Sequence, residues 1–189
     1  IDEPEDTIVT IPADPMVRNF SYTMVDGDIY FRENSIMSKI ELSQTAKNRV
    51  IGMIEIRDCV RELIEYQKDD YDERIILEQQ QKLNDLYDTF TEKYGLINSR
   101  GNSLAFREDS AYYLLCSLEN INEDGTLRSK ADMFTKRTIR KHVVVEKAET
   151  SNEALMLSLS EKGQIDFDYM YQLTGFDKEK MIHDLKGVI

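Results

Sequence analysis

The spacing of apolar residues predicts two long amphipathic helices in the middle of the chain. Over residues 43–68, apolar side chains recur every three or four positions, which is the period of a helix with one buried face. Ser43 can cap this helix, and the same spacing returns over residues 72–94, after which Gly95 supplies a C-terminal stop. The connection between them is short, so the pattern predicts an antiparallel helix hairpin. The apolar stripe of the first helix is Val50, Met53, Ile56 (or Arg57), Val60, Leu63 and Ile64.

A strand period replaces the helical one near the N-terminus, where residues 20–33 predict a β-hairpin. Asp26-Gly27 suits a two-residue type I′ turn, because both central positions of this turn need a positive φ. One face of the hairpin is then apolar and the other mixed, as a half-buried sheet requires. Residues 1–19 are rich in Pro and Asp and predict a linker with one edge strand at 8–11. The predicted cross-strand pairs are Met24 with Ile29, Tyr22 with Phe31, Thr23 with Tyr30, and Ser21 with Arg32.

The part of the chain that follows the helix hairpin predicts shorter elements. Residues 98–102 are typical of a loop and residues 123–125 of a turn. Residues 109–120 offer one apolar side and predict a third helix. Residues 126–142 are ambiguous, because their first half fits a helix and their second half is rich in β-branched residues.

Residues 151–189 predict a small module of three short helices. Gly163 and Gly175 stop the first two helices, and Asp177 caps the third. This order fits a helix-turn-helix or winged-helix unit. The helix that would enter the major groove is not basic, however, and helices that read base edges usually begin with Arg, Asn or Gln. We therefore favour a helical packing module and keep the helix-turn-helix as the alternative.

Together these elements predict a mainly α fold. It consists of a long antiparallel helix hairpin, an N-terminal β-hairpin and a small C-terminal helical module that resembles a helix-turn-helix. We divide the chain into a linker with the β-hairpin (residues 1–42), a helical core (residues 43–142) and the C-terminal module (residues 143–189). Because the chain begins with Ile1 and not with Met, we expect it to be a segment of a longer protein.

The distribution of charge singles out one segment. The chain has a net charge of −12, and a surface of that sign repels nucleic acid. Against this background, residues 128–142, here called the basic stretch, contain a single acidic residue, Asp132. Its cations can neutralise DNA phosphates, but they can equally pair with the acidic helices, and both interpretations stay open. The candidate nucleic-acid-binding residues are Arg128, Lys130, Lys136, Arg137, Arg140 and Lys141.

No group of residues in the sequence points to a reaction. The histidines His142 and His183 have no cysteine or carboxylate at ligand spacing. A glycine-rich phosphate loop is also missing. We therefore expect no catalytic residue, no metal and no cofactor in this segment, and an enzyme with an unrecognised polar pocket remains only a third hypothesis. Cys59 and Cys116 are typical of free thiols in a reducing cytoplasm, and no apolar run is long enough for a membrane.

Three stretches carry a resemblance to a known family. They are YTMVDGDIYFRENSIM at 22–37, KADMFTKRTI at 130–139 and EALMLSLSEKGQIDFDYMYQLTG at 153–175. These stretches are similar to the region between the methyltransferase core and the helicase motor of very large DNA methylase–helicase fusion proteins. Conjugative elements and phages carry these proteins, which resemble SNF2-type helicases and phage anti-restriction proteins.

The resemblance implies a parent protein that acts on DNA and binds S-adenosylmethionine and ATP elsewhere in its polypeptide. It implies no catalytic residue here, because the chain has neither an Asn-Pro-Pro-Tyr methylase motif nor a G-x-x-x-x-G-K-[ST] loop. The resulting hypothesis is a non-catalytic accessory or spacer domain of a cytoplasmic DNA methylase–helicase. Its partners would be double-stranded DNA, contacted through the basic stretch, and the neighbouring methylase and helicase domains. The alternative is a protein–protein interaction scaffold that uses the long helix hairpin and does not contact DNA.

Overall fold

The computed structural model describes residues 7–140 and 146–189. The chain forms two compact units, a larger unit (Ile1–Lys141) and a smaller unit (His142–Ile189). Each unit has its own buried apolar cluster. Within the described ranges, no helix combines the length and the apolar character needed to cross a lipid bilayer.

A four-stranded antiparallel sheet opens the larger unit, in the order β1-β4-β3-β2. The predicted type I′ turn is present, since Asp26 and Gly27 have φ values of 49° and 83°. All four predicted cross-strand pairs of the hairpin are confirmed. The last strand was not predicted, because it follows a turn at Asn34-Ser35 that lacks the usual glycine. The strands are β1 (Thr10–Pro12), β2 (Ser21–Val25), β3 (Asp28–Glu33) and β4 (Ile36–Lys39).

Two long helices, α1 (Gln44–Lys68) and α2 (Glu73–Tyr94), pack against each other as the sequence predicted. The Ser43 hydroxyl accepts a hydrogen bond from the backbone N–H of Ala46, and Gly95 ends α2 with a φ of 79°. Sheet and helices share one core, because the side chains of the hairpin face lie in the same apolar cluster as the helix stripe. The domain boundary that we drew after residue 42 stays a prediction.

Gly52, on α1, lies directly against the ring of Phe90, on α2. A Cβ atom at this position would lie 2.5 Å from Cδ2 of Phe90 and 2.8 Å from its Cε2. These distances are far below van der Waals contact, and the Phe90 ring is buried. The glycine that weakens α1 in terms of helix propensity is thus the residue that lets the Phe90 ring pack.

Gly52→Ala should therefore destabilise the protein, although alanine favours a helix. We expect a loss of about 1–3 kcal/mol in the free energy of unfolding, measured by urea denaturation, because the buried ring must move. In the double variant Gly52→Ala/Phe90→Leu the second change should cost less than it does alone, because the smaller side chain relieves the clash. A single variant more stable than the wild type would contradict this packing.

The connection after α2 differs from the prediction. The segment predicted as a loop at 98–102 includes the start of a helix, and the helix predicted over 109–120 is reduced to one short turn. Asp109 and Glu119, which we placed on that helix, instead turn inward and bind backbone N–H groups of distant segments. The elements are α3 (Arg100–Phe106), α4 (Tyr112–Cys116), β5 (Glu119–Ile121), β6 (Leu127–Lys130) and a 3₁₀ turn at Asp132–Phe134.

The smaller unit contains the three predicted helices, α5 (Ser151–Lys162), α6 (Phe167–Thr174) and α7 (Lys178–Asp184). Asp177 accepts a hydrogen bond from the N–H of Lys180, and Gly163 and Gly175 end α5 and α6 in the left-handed conformation. The predicted helix ends at Gly163 and Gly175 and the predicted N-cap at Asp177 are therefore confirmed. The buried cluster consists of Ala148, Ala154, Leu155, Met170, Leu173, Met181 and Leu185.

The fold as a whole is more mixed than the mainly α class that we predicted. The described residues contain seven α-helices, but also a four-stranded and a two-stranded antiparallel sheet. The second sheet arises because the turn at residues 123–125 joins β5 and β6, in a region where the residue pattern was ambiguous.

Candidate nucleic-acid interface

The basic stretch begins on β6 and continues past the 3₁₀ turn. On β6, the side chain of Arg128 is exposed, whereas that of Lys130 contacts Asp88 of α2. Lys136, Arg137 and Arg140 follow in irregular backbone. Lys141, the last candidate residue, lies outside the described residues.

Lys130 is committed to the larger unit itself. Its Nζ lies 2.6 Å from Oδ1 of Asp88 and donates a hydrogen bond of 2.9 Å to Oδ1 of Asn84. The same ammonium group lies about 5 Å from the ring centroids of Tyr87 and Phe134. This lysine therefore ties β6 to α2, and its charge is balanced within the protein.

Arg137 is also used internally. Its Nη2 donates to Oδ1 of Asp70 at 2.7 Å and to the carbonyl oxygen of Gln67 at 3.0 Å, at the C-terminal end of α1. The buried side-chain oxygen of Gln67 accepts from the backbone N–H groups of Thr138 and Ile139, each at 2.8 Å. These contacts hold the segment after the 3₁₀ turn against the end of the long helix.

Three candidate residues keep cations that a phosphate can reach. Arg128 is exposed and contacts Asn122 through its Nε. Lys136 forms a 3.6 Å ion pair with Asp132 in which both side chains are at least 70% exposed, so water screens it strongly. Arg140 is exposed as well. Pairing with acidic residues, which we considered as the alternative to DNA binding, thus applies to Lys130 and Arg137. The other three described cations of the basic stretch remain available to a phosphate.

The smaller unit presents a different surface. Residues 146–189 contain no arginine, and their lysines are outnumbered by acidic residues. On α7, Lys178 lies over the ring of Phe167, and Lys180 pairs with Asp184 at 3.3 Å. The Ser151 hydroxyl donates to the same aspartate, and this hydrogen bond lowers the pKa of Asp184. The exposed side of α7 is therefore poorly suited to bind phosphates through charge.

Two buried carboxylates form networks that the sequence did not reveal. Oε2 of Glu119 accepts hydrogen bonds from the Tyr87 hydroxyl (2.6 Å) and the Ile97 N–H (2.9 Å), and its Oε1 accepts two more from Asn98. Burial, followed by this hydrogen bond to Glu119, raises the pKa of Tyr87. These hydrogen bonds join α2, the loop after it and the first residue of β5.

The second network joins the sheet, α1 and the turn before α4. Arg57, which is 5% exposed, donates through Nη1 to Oδ2 of Asp109 (2.8 Å) and to the carbonyl of Tyr22 (2.7 Å). The other oxygen of Asp109 accepts from the N–H of Ala111. A spacing of 52 residues separates the arginine from this aspartate, and no local pattern could have indicated the pair.

The remaining reactive side chains do not form a site. Burial raises the pKa of the Cys59 thiol to about 11 and raises that of Cys116 as well. Both thiols are therefore protonated at neutral pH. His183 is exposed, and His142 lies outside the described residues. Among the residues that the structure describes, no group of three His, Cys, Asp or Glu side chains is arranged to hold a metal ion.

Comparison with known proteins gives a family match within the smaller unit. Residues 147–189 match a family described as "Probable helicase, winged helix domain". No curated protein and no solved structure matches the chain. The match favours the helix-turn-helix alternative over the packing module that we preferred, and the order of α5, α6 and α7 agrees with it. The smaller unit is thus similar to the winged-helix domain of a probable helicase, and domains of this class are typically non-catalytic.

Proposed function

We propose that this chain is a non-catalytic accessory region of a DNA helicase, in which the larger unit contacts the duplex backbone. The observation that carries the proposal is the match of the smaller unit to helicase winged-helix domains. The contact would use Arg128, Lys136 and Arg140, because these exposed cations of the basic stretch have no buried partner. Lys141 stays a candidate.

The acidic winged-helix unit favours a different role within the same proposal. Its negative charge disfavours phosphate binding, whereas exposed apolar side chains such as Met156, Tyr171 and Ile182 suit a contact with protein. We infer that this unit contacts a neighbouring domain of the parent protein, as a spacer between a methylase domain and a helicase domain would. The alternative hypothesis placed a protein–protein interaction surface on the helix hairpin, but the apolar stripes of that hairpin are buried in the core. We therefore propose that the interaction surface lies on the smaller unit.

The parent that we propose is a cytoplasmic DNA methylase fused to an SNF2-type helicase and carried by a mobile genetic element. The three stretches that resemble such proteins support this part of the proposal. ATP and S-adenosylmethionine would bind to the flanking motor and methylase domains, and this segment would need no cofactor of its own.

The DNA contact can be tested with the triple variant Arg128→Ala/Lys136→Ala/Arg140→Ala. We expect its affinity for duplex DNA, measured by fluorescence anisotropy at low salt, to fall roughly tenfold, since three exposed ion pairs contribute about 0.5 kcal/mol each. A variant matched in charge, Arg74→Ala/Arg100→Ala/Arg107→Ala, removes three exposed arginines outside the basic stretch and should bind almost as the wild type does. An equal loss of DNA affinity in both variants would show that binding depends only on the net charge of the protein, and the proposed contact would be wrong.

A further inference from the structure

Arg61 lies on α1, and its half-buried guanidinium group has a buried Nε that finds no hydrogen-bond partner among the described residues. It lies one helical turn after Arg57 and therefore on the same side of the helix. Arg57 binds two aspartates and a backbone carbonyl. In contrast, Nε of Arg61 is buried and has no hydrogen-bond partner, and no described carboxylate forms an ion pair with this guanidinium.

The electrostatic surroundings of Arg61 are positive. Burial lowers the pKa of Arg61 most, and the positive charges of Arg57 and Arg18 lower it further. Asp109 and Asp58 offset this effect only in part. Both aspartates are already bound to Arg57, at 2.8 Å and 3.0 Å. Among the described residues, neither Arg61 nor Arg18 thus forms an ion pair of its own.

The backbone on both sides of Arg18 is held in place. Arg32, on β3, donates through Nη1 to the carbonyl oxygens of Val17 and Asp14. Phe20 donates its N–H to the carbonyl of Arg32 (2.9 Å) and accepts from the N–H of Ser110 (2.8 Å). The segment that carries Arg18 is thus fixed next to the Arg57 network, while its exposed side chain makes no hydrogen bond within the described structure.

This arrangement costs stability unless something binds there. Buried polar groups in folded proteins are nearly always paired, and an unpaired one calls for a water or an ion. Like charges four residues apart on a helix also repel. A guanidinium group presents a planar fork of N–H donors that matches the oxygens of a phosphate group.

We propose that Arg18 and Arg61 form a binding site for a phosphate group on the larger unit. The site uses none of the residues of the basic stretch, and it does not depend on the proposed function. The phosphate can belong to a DNA backbone or to a small free anion, and the chemistry of recognition is the same for both.

The test compares phosphate with chloride at matched ionic strength, on the whole chain. Inorganic phosphate should raise the melting temperature of the wild type, and it should shift the NMR signal of the Arg61 Nε–H, which is identified by its loss in Arg61→Gln. In Arg18→Gln/Arg61→Gln the phosphate affinity should fall roughly tenfold or more, since hydrogen bonds between charged groups are lost. The matched control Arg74→Gln/Arg107→Gln removes two exposed arginines and should respond as the wild type does.

Two results would overturn the site. One is an equal response to phosphate in the double variant and in its control. The other is a double variant that melts below the wild type in chloride, since this would show that Arg61 has a stabilising partner inside the protein. A short DNA duplex then identifies the source of the phosphate. If the duplex shifts the Arg61 signal and competes with inorganic phosphate, the ligand is a DNA backbone; if only the free anion does so, the ligand is a small molecule.

Discussion

Replacing Asp109 by Asn should lower the free energy of unfolding by about 3–5 kcal/mol, the cost of leaving one member of a buried ion pair without its partner. The aspartate is 3% exposed and balances the charge of Arg57. Its two oxygens also accept the N–H groups of Tyr22 and Ala111. An asparagine keeps the shape of the side chain, so the loss reports on the charge and on one acceptor. Thermal or urea unfolding measures it.

Asp58 provides the matched control for this experiment. It binds the Nε of the same arginine at 3.0 Å, but its side chain is 60% exposed. Water already solvates such a group, and Asp58→Asn should cost less than about 1 kcal/mol. If both variants lost the same free energy, burial would not decide the strength of these pairs, and the account of the Arg57 network would fail.

Glu119→Gln should cause the second large loss, about 2–4 kcal/mol in the free energy of unfolding. The Glu119 carboxylate is the acceptor in all four of its hydrogen bonds, two from Asn98 and one each from Tyr87 and Ile97. An ionised carboxylate only accepts, whereas a glutamine turns an NH₂ group towards two of these donors. The network that joins α2, the loop after it and β5 would then contain unpaired buried groups.

Two variants bracket the Glu119 result. Tyr87→Phe removes only one of the four donors and should cost about 1–2 kcal/mol. Glu123→Gln changes the same side chain at an exposed position of the β5–β6 turn and should have almost no effect. Hydrogen exchange at the Ile97 and Asn98 amides gives an independent measurement, because these N–H groups bind different oxygens of Glu119 and one of them loses its acceptor in Glu119→Gln. If both amides stayed as protected as in the wild type, the assignment would be contradicted.

The elements that the sequence predicted correctly are those defined by neighbouring residues. Asp26-Gly27 determines its own turn and thereby the register of the hairpin, and Ser43 and Gly95 mark helix ends through bonds within a few residues. These signals need no knowledge of the tertiary structure. The same reason explains why the three helices of the smaller unit were found, including the cap at Asp177.

The errors arose where a side chain finds its partner far along the chain. The sequence around Asp109 and Glu119 is compatible with a helix, and no neighbouring residue indicates that either carboxylate has a partner far along the chain. Their actual partners are Arg57 and Tyr87, on α1 and α2, and the free energy of these bonds outweighs helix propensity. The preference for a packing module over a winged helix had another reason, since the charge of α7 is unusual for a unit that reads DNA, whereas the family match favours the winged helix.

The candidate interface shows the same limit. A count of basic residues over 128–142 treats every cation alike, whereas the structure pairs Lys130 with Asp88 and Arg137 with Asp70. Arg18 and Arg61 are far apart in sequence, so no count along the chain could have joined them. Only the fold separates the charges that hold the protein together from those that remain for a ligand.

The commitment of Lys130 and Arg137 also limits how the basic stretch can respond to ions in solution. A cation already neutralised inside the protein displaces no condensed counterion from a polyanion. Among the described residues of the stretch, at most three side chains can do so, which corresponds to a slope of roughly −2.7 in a plot of log affinity against log salt concentration. An association through this surface would therefore be weak and readily reversible, and the region that we propose to accompany a helicase motor could dissociate from DNA as the motor advances.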